Sequence, residues 1–219
     1  MNKKNLYWLV ESALMIAVAI VLELVSKSVI PELPFGGQIT IVSMLPIILV
    51  SWKYGVGRGV FTGLAYAAVE MVLGAKIVGG AFNPSNEDYY LGGLWQALLM
   101  TVLDYIVAFT VLGLAGMYKK RIKSKTVSLS LGAFTVVSLR YITHIISGCI
   151  LYGSWAEWFF TQDGFYSWGT NIVNTYSGTA LSIIYSIFYN GVYMIPEIIF
   201  TTIAAAIISG IPALLKVKE

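Results

Sequence analysis

Long apolar stretches dominate this sequence and limit the folds that it can adopt. A helix needs roughly 20 mostly apolar residues to cross a hydrocarbon core of about 30 Å. Six stretches reach or approach that length, and the second is the shortest. We therefore predict an all-α, polytopic membrane protein, a bundle of six transmembrane helices in a single transmembrane domain over residues 1–219. The expected spans are 6–25, 39–52, 57–73, 91–117, 127–151 and 190–215.

The low charge content excludes a water-soluble protein. Charged residues make up 11% of the chain and hydrophobic residues 58%, whereas soluble domains have roughly 25% and 45–50%. This argues against a soluble enzyme, a disordered chain and a nucleic-acid-binding protein built on a basic domain. The chain has one cysteine, Cys149, so it cannot form an internal disulfide. With one histidine, His144, in addition, it has too few cysteine and histidine ligands for a zinc site. We expect neither a metal nor a cofactor.

The distribution of basic residues predicts the orientation of the helices. Lys and Arg in short loops remain on the cytoplasmic side. Of the 14 basic residues, 11 lie on the side of the two termini and of the basic run at 119–125. Two, Lys27 and Lys76, lie on the other side, and Arg140 lies within a predicted helix. Both termini are therefore predicted to be cytoplasmic.

Asp104 is the most informative ionisable residue, because it lies inside an apolar run with no basic neighbour in sequence. Charged side chains within a membrane span are costly and suggest a function. A buried carboxylate there needs a partner, a proton or a cationic ligand. A structural ion pair with Arg140 is the alternative explanation.

Three other acidic residues within predicted spans have simpler explanations. Glu11 and Glu23 lie near helix ends and can reach the membrane interface, so we expect a structural role or solvation to explain them. Glu70 lies about one turn from the end of its span and is expected to form a structural pair with Arg140 or Lys76. None of the three is therefore predicted to bind a ligand.

His144, Gly148 and Tyr152 recur at intervals of four residues, so they share one helix face. The absent side chain of Gly148 leaves a notch between an imidazole and a phenol that a flat ring could enter. Close packing against another helix explains this glycine equally well. The spacing predicts one wall of a binding site.

The last apolar stretch, 181–215, is longer than one span requires. Asn190, Gly191 and Pro196 interrupt it, so we predict a loop or broken turn first and a sixth helix that begins near Asn190. If the helix were instead continuous, Asn190 and Glu197 would share a face. The amide of Asn190 can donate and accept, which suits the edge of a heteroaromatic ring.

Carboxylate, imidazole, amide and aromatic groups together predict an outward-opening pocket for a flat cationic ligand. The chain has no phosphate-binding loop motif, so ATP hydrolysis by that route would need a partner. On the first helix, Ala13 and Ala17 form a small-xxx-small pattern that allows another helix to approach closely.

Several local strings resemble those of thiamine-specific S components, the substrate-binding subunits of energy-coupling factor (ECF) transporters. The resemblance implies a high-affinity thiamine-binding subunit, not an enzyme, in the bacterial plasma membrane. It further implies a transmembrane coupling protein and two ATPase subunits as partners. The strings are residues 36–46, Leu103-Asp104-Tyr105, His144 to Gly148 followed by Tyr152-Gly153-Ser154, and Tyr185 to Glu197.

The resemblance also implies roles for individual residues. Ala13 and Ala17 match the motif that contacts the coupling protein. Tyr152 replaces an expected stacking tryptophan, and Trp155 in the aromatic segment 153–178 is the candidate substitute. The implied ligand-binding residues are Phe35 as an aromatic lid, Asp104 and Tyr105 as an acidic-aromatic pair, and His144, Gly148, Tyr185 and Asn190.

Three alternative functions remain open from the sequence. The first is a stand-alone secondary transporter of a small cationic aromatic solute, coupled to ions or protons through Asp104, Glu70 and His144. The lack of an evident internal repeat counts against it. The second is an S component for a different vitamin. The third is a membrane enzyme with His144 and Asp104 as acid and base, for which no nucleophile or metal cluster is evident.

Overall fold

The computed structural model describes residues 3–33 and 37–217. In these ranges the chain forms helices joined by short turns and contains no β-strand. The helices are α1 Lys3–Val29, α2 Leu45–Tyr54, α3 Val56–Leu73, α4 Ala75–Phe82, α5 Leu94–Tyr118, α6 Lys125–Leu151, α7 Ala156–Phe160, α8 Tyr166–Thr175, α9 Gly178–Ser209 and α10 Pro212–Leu215.

Five of these helices, α1, α3, α5, α6 and α9, are long and apolar enough to cross a membrane. This confirms the predicted all-α membrane protein. The predicted second span corresponds to α2, which has 10 residues and extends only about 15 Å. Residues 41–44 before it form turns, and Pro46 lies at the helix start, where its missing N–H costs nothing. Since α2 is almost entirely buried, protein rather than lipid surrounds it.

The predicted break before Asn190 is wrong, because α9 runs without interruption through Gly178–Ser209 and contains Pro196. Asn190 does not disturb the helix, since its side chain bonds to Ser186 one turn earlier and to the backbone of α6. Gly191 lies where a Cβ would be 3.0 Å from the Tyr141 hydroxyl oxygen. Asn190 and Gly191, two of the three residues that suggested a break, are therefore packing positions between two helices.

The aromatic segment 153–178 folds into α7, α8 and flanking turns. Phe160 is fully buried there, with its ring centroid 5.9 Å from that of Phe188 on α9. Trp168 stacks near the same ring, at 5.6 Å. These contacts hold the segment against the beginning of α9.

At one end of the bundle, α2, α3, α5 and α6 approach each other so closely that only glycine fits at the contacts. A Cβ on Gly113 of α5 would lie 2.3 Å from the backbone nitrogen of Val60 on α3. A Cβ on Gly116 would lie 2.4 Å from the carbonyl oxygen of Ser51. The Ser51 hydroxyl donates to the Gly113 carbonyl at 2.5 Å and accepts from the Gly116 N–H at 2.9 Å. We call this region the close-packed end.

Candidate functional site

Away from the close-packed end, the helices enclose a cavity of about 380 Å³. Its walls come from α1, α3, α4, α5, α6, α9 and the segment 37–43. A volume of this size lies within the usual range of roughly 300–1,000 Å³ for small-molecule sites. Seven of the predicted ligand-binding residues line it, namely Asp104, Tyr105, His144, Gly148, Tyr152, Tyr185 and Asn190.

Asp104 lies at the centre of a hydrogen-bonded chain. Its Oδ1 is 3.0 Å from His144 Nδ1, and its Oδ2 accepts from the Ser147 hydroxyl at 2.7 Å. Arg140 Nε donates to His144 Nε2 at 3.2 Å. Because arginine only donates, Nε2 carries a lone pair, so the Nδ1–H of a neutral imidazole donates to Asp104. The alternative of a direct Asp104–Arg140 pair is therefore wrong: the imidazole lies between them.

Asp104 and Tyr105 owe their position to an irregular turn of α5. Residues Thr101–Val107 form a π-helical turn, which is wider than an α-helical turn and occurs frequently at functional sites. Farther along, α5 tightens into a 3₁₀-helix over Val111–Tyr118 at the close-packed end. Apolar periodicity did not predict either change.

The contacts of Asn190 and Gly148 join α9 to α6. Asn190 Nδ2 donates to the carbonyl oxygen of His144 at 3.1 Å, and its Oδ1 accepts from the Tyr193 hydroxyl at 2.6 Å. A Cβ on Gly148 would lie 2.3 Å from Ser186 Oγ and 2.9 Å from Asn190 Nδ2. The notch predicted at Gly148 is thus largely filled by α9 side chains, which favours the helix-packing interpretation.

A second wall of the cavity is closed by the segment 37–43, which connects to α9. The backbone N–H and the hydroxyl of Thr40 both donate to Glu197 Oε1, the hydroxyl at 2.8 Å. Glu197 is 1% exposed, and its Oε2 has no hydrogen-bond partner among the described residues. Gly37 lies where a Cβ would be 2.8 Å from the Tyr193 ring. The segment therefore packs directly on the tyrosine face of α9.

Glu23 and Glu70 also line the cavity. The expected interface position of Glu23 and the expected ion pair of Glu70 are both absent among the described residues, whereas the ion pair of Glu23 with Lys27 fits a structural role. Glu23 is buried rather than at an interface, because Lys27 bonds to its Oε1 at 2.6 Å and Tyr66 donates to its Oε2 at 3.4 Å. Glu70 is also buried. Within the described ranges it forms no ion pair with Arg140 or Lys76. Arg140 instead lies over the Phe109 ring, at 4.2 Å from its centroid.

Glu11, the other acidic residue near a helix end, also has specific protein partners. Lys53 and Tyr54 of α2 donate to its two carboxylate oxygens, Tyr54 at 2.6 Å. These bonds join α1 to the end of α2. Glu11 does not line the cavity, so leaving it out of the predicted binding residues agrees with the structure.

Two aromatic candidates remain, Phe35 and Trp155. Phe35 falls outside the described residues. Trp155 lines a separate pocket of about 40 Å³, which it shares with Tyr152, and its ring meets that of Trp158 edge to face at 6.0 Å. Phe159, which sequence reasoning missed, packs behind the cavity tyrosine Tyr185 at 5.3 Å. The aromatic segment thus supports the cavity wall from behind.

Ser147 is a second cavity residue that the sequence analysis missed. It could have been found from its spacing, because it lies three residues after His144 and therefore on the same helix face.

Ala13 and Ala17 are exposed on α1 and face away from the bundle. Large apolar side chains such as Val10 and Leu14 flank them and are also exposed.

Comparison with known proteins identifies the family. The family model described as thiamine transporter protein (Thia_YuaJ) matches residues 9–85 and 86–215. The chain belongs to this family. It is 31% identical over 225 residues to the thiamine transporter ThiT of Bacillus subtilis (strain 168), covering 98% of this chain and 97% of that protein.

A solved structure agrees with this assignment. The structure of ThiT from Listeria monocytogenes matches with a TM-score of 0.65 and 21% identity, over 97% of this chain and 99% of that one. At this identity the match supports the fold. Together with the five apolar helices, family membership identifies a multi-pass protein of the bacterial cell membrane and a transporter homologue rather than an enzyme. The predicted family resemblance is confirmed.

Proposed function

We propose that this chain binds thiamine as the S component of an ECF-type importer. The observation that carries the proposal is the Asp104–His144–Ser147 network in the wall of a cavity that is also lined by tyrosines. Thiamine is a cation with two flat rings, an aminopyrimidine and a positively charged thiazolium, joined by a methylene group. A carboxylate can attract its positive charge, and aromatic faces can hold both of its rings through stacking and cation–π contacts.

The charges that line the cavity favour a cationic occupant. The lining contains Glu23, Glu32, Glu70, Asp104 and Glu197 as acidic residues and Lys27, Lys76 and Arg140 as basic residues. The acidic groups therefore outnumber the basic ones, and His144 accepts from Arg140 as a neutral ring. A cation entering this site would balance charge that the protein alone leaves uncompensated.

Specific roles follow from position. We assign Asp104 to the cationic and amino groups of thiamine, with Tyr105 beside it. Tyr152 and Tyr185 line the cavity and would stack on the rings of thiamine. His144, Gly148 and Asn190 mainly hold α6 and α9 in place around the ligand. Phe35 as an aromatic lid and Trp155 as a substitute stacking residue stay predictions.

Calorimetric titration of the detergent-purified protein with thiamine tests the proposal. Calorimetry is preferable to tryptophan fluorescence, because none of the described residues that line the cavity is a tryptophan. We expect saturable binding at one site per chain, with no competition from riboflavin or biotin. Absence of a saturable binding heat with thiamine would refute the proposal. Tight binding of another vitamin would indicate that the chain is an S component for that vitamin.

We further infer that a transmembrane coupling protein and two ATPases act with this chain. The exposed Ala13 and Ala17 would let a partner helix approach α1 closely. Ala13→Leu with Ala17→Leu should abolish co-purification with the coupling complex and leave thiamine binding intact. Ala68→Leu, at an exposed position of α3, is the matched control. Equal effects at both sites would count against a partner-binding face on α1.

A stand-alone secondary transporter is the competing mechanism. Liposomes that contain only this chain distinguish the two, because a secondary transporter would accumulate thiamine under a proton gradient without ATP. We expect no thiamine to accumulate.

We also propose one domain over residues 1–219 with six spans and cytoplasmic termini. Labelling of a cysteine introduced at Ser124, in a Cys149→Ser background, should occur only from the cytoplasmic side.

A further inference from the structure

Glu23 on α1 and Glu70 on α3 are buried carboxyl groups that line the same cavity. The two residues are 4% and 6% exposed. Tyr66, which lies one helical turn before Glu70 on α3, donates to Glu23. Lys27 is the one cation in an ion pair with either group among the described residues. Ionisation of both carboxyl groups would therefore leave a buried negative charge uncompensated, and a proton on one of them removes that charge.

The surroundings of the pair indicate which group carries the proton. Glu23 already has a donor for each oxygen, namely the Lys27 ammonium and the Tyr66 hydroxyl. Glu70 Oε1 has no hydrogen-bond donor among the described residues and no solvent contact. An ionised Glu70 would be a second negative charge without a cation within ion-pair distance. The arrangement fits an ionised Glu23 and a protonated Glu70.

We propose that the Glu23–Glu70 pair is a proton-binding site of the empty cavity, and that a cationic ligand in the cavity expels this proton. The inference rests on the proposed function for the identity of the cation. A positive charge next to the pair stabilises its doubly ionised form. Since the two binding equilibria are linked, the proton must weaken binding of the cation as much as the cation weakens binding of the proton.

A proton fits this site better than a metal ion. The described residues contain no group of three or more His, Cys, Asp or Glu side chains that could hold a metal, and Lys27 already occupies the cation position beside Glu23. His144 is less suited to take up a proton, because its Nε2 accepts from Arg140. The other charged or titratable groups that line the same cavity are Glu32, Tyr66, Lys76, Tyr89, Asp104, Tyr105, Arg140, Tyr152, Tyr185, Tyr189, Tyr193 and Glu197.

Titration calorimetry in buffers of different ionisation enthalpy measures the proton directly. At one pH, the observed binding enthalpy should change linearly with the buffer enthalpy, with a slope that corresponds to release of on the order of half a proton per thiamine near neutral pH. The affinity should rise with pH over the same range. In Glu70→Gln, whose side chain is neutral like the protonated acid and cannot release a proton, thiamine should still bind while the slope falls to zero.

Glu157→Gln, an exposed carboxyl group on α7, is the matched control and should retain the full slope. Thiamine binding without proton release in the wild type would refute the proton site but leave the proposed function intact. A slope that survives in Glu70→Gln would place the proton elsewhere and overturn the proposal. Affinity that depends on Na⁺, with choline as the replacement, would identify a metal ion instead.

Infrared spectroscopy of the unliganded protein tests the site without thiamine. We expect the carbonyl stretch of a protonated carboxyl group near neutral pH, and we expect Glu70→Gln to remove it. Absence of that band in the wild type would refute the proposal even if thiamine does not bind. This readout therefore separates failure of the proton site from failure of the proposed function.

Discussion

Two segments of α5 differ in geometry and in what they contact. Thr101–Val107 is a wide π-helical turn that presents Asp104 and Tyr105 to the cavity. Val111–Tyr118 is a narrow 3₁₀-helix whose glycines touch the backbone of α2 and α3. One helix thus serves a polar site at one end and a rigid contact at the other. The local backbone geometry, rather than the helix as a whole, corresponds to each role.

The two ends should respond differently to substitution. At the close-packed end, backbone meets backbone, so an added methyl group has nowhere to go. At the cavity, side chains end at an open volume of about 380 Å³, so a change of charge removes an interaction without a steric clash. We therefore expect variants of the first kind to lose stability and variants of the second kind to lose affinity.

Gly113→Ala should have the largest effect, and it should be on stability. Its Cβ would lie 2.3 Å from Val60 N and 2.4 Å from the Gly59 carbonyl carbon, and forcing such contacts costs about 3 kcal/mol. Thermal unfolding in detergent measures the loss. Gly79→Ala on α4, where a Cβ meets nothing within 4 Å, is the control and should be neutral or slightly stabilising. Equal melting temperatures of the two variants would contradict the rigid contact.

Asp104→Asn should have the next largest effect, and it should be on affinity. The substitution keeps the shape of the side chain but removes the negative charge of the carboxylate, whose two oxygens accept hydrogen bonds from His144 and Ser147. Hydrogen bonds and ion contacts of a charged group are worth about 2 kcal/mol, which corresponds to about 30-fold in the dissociation constant for thiamine.

Calorimetric titration measures this change, with Asp163→Asn at an exposed position as the control. The melting temperature should fall much less than in Gly113→Ala. If Asp104→Asn unfolded the protein at moderate temperature, Asp104 would be a structural residue, and the contrast between the two segments of α5 would be lost.

The sequence predicted the class of fold and most of the cavity lining for a clear physical reason. Apolar length identifies helices, and polar groups in apolar runs identify a site, as for Asp104 and His144. Prediction from the sequence failed where tertiary contacts override the local preference of a residue for a turn or a helix. Asn190 and Gly191 are turn formers by composition, yet α6 supplies contacts that keep them helical. Glu23 and Glu70 could not be paired because they are 47 positions apart along the chain.

Tyr193→Phe addresses the junction between α6 and α9, which lies at the cavity but is tightly packed. The phenol hydroxyl donates to Asn190 Oδ1 at 2.6 Å, and its loss leaves a buried acceptor unsatisfied. We expect a loss of about 1 kcal/mol in unfolding free energy and a smaller change in affinity. Tyr176→Phe, at an exposed position, is the control. A larger loss of affinity than of stability would mean that this hydroxyl contacts the ligand.

Trp155→Ala should have the smallest effect on affinity, and it tests how far the binding site extends into the aromatic segment. Trp155 lines the small pocket beside Tyr152 rather than the main cavity, so its removal should change thiamine affinity by less than about 0.5 kcal/mol. Tyr152→Ala, which removes a ring that lines both pockets, should cost several times more. If the order were reversed, the ligand would stack on Trp155. The cavity would then have to be continuous with the small pocket when thiamine is bound, because Tyr152 lines both of them.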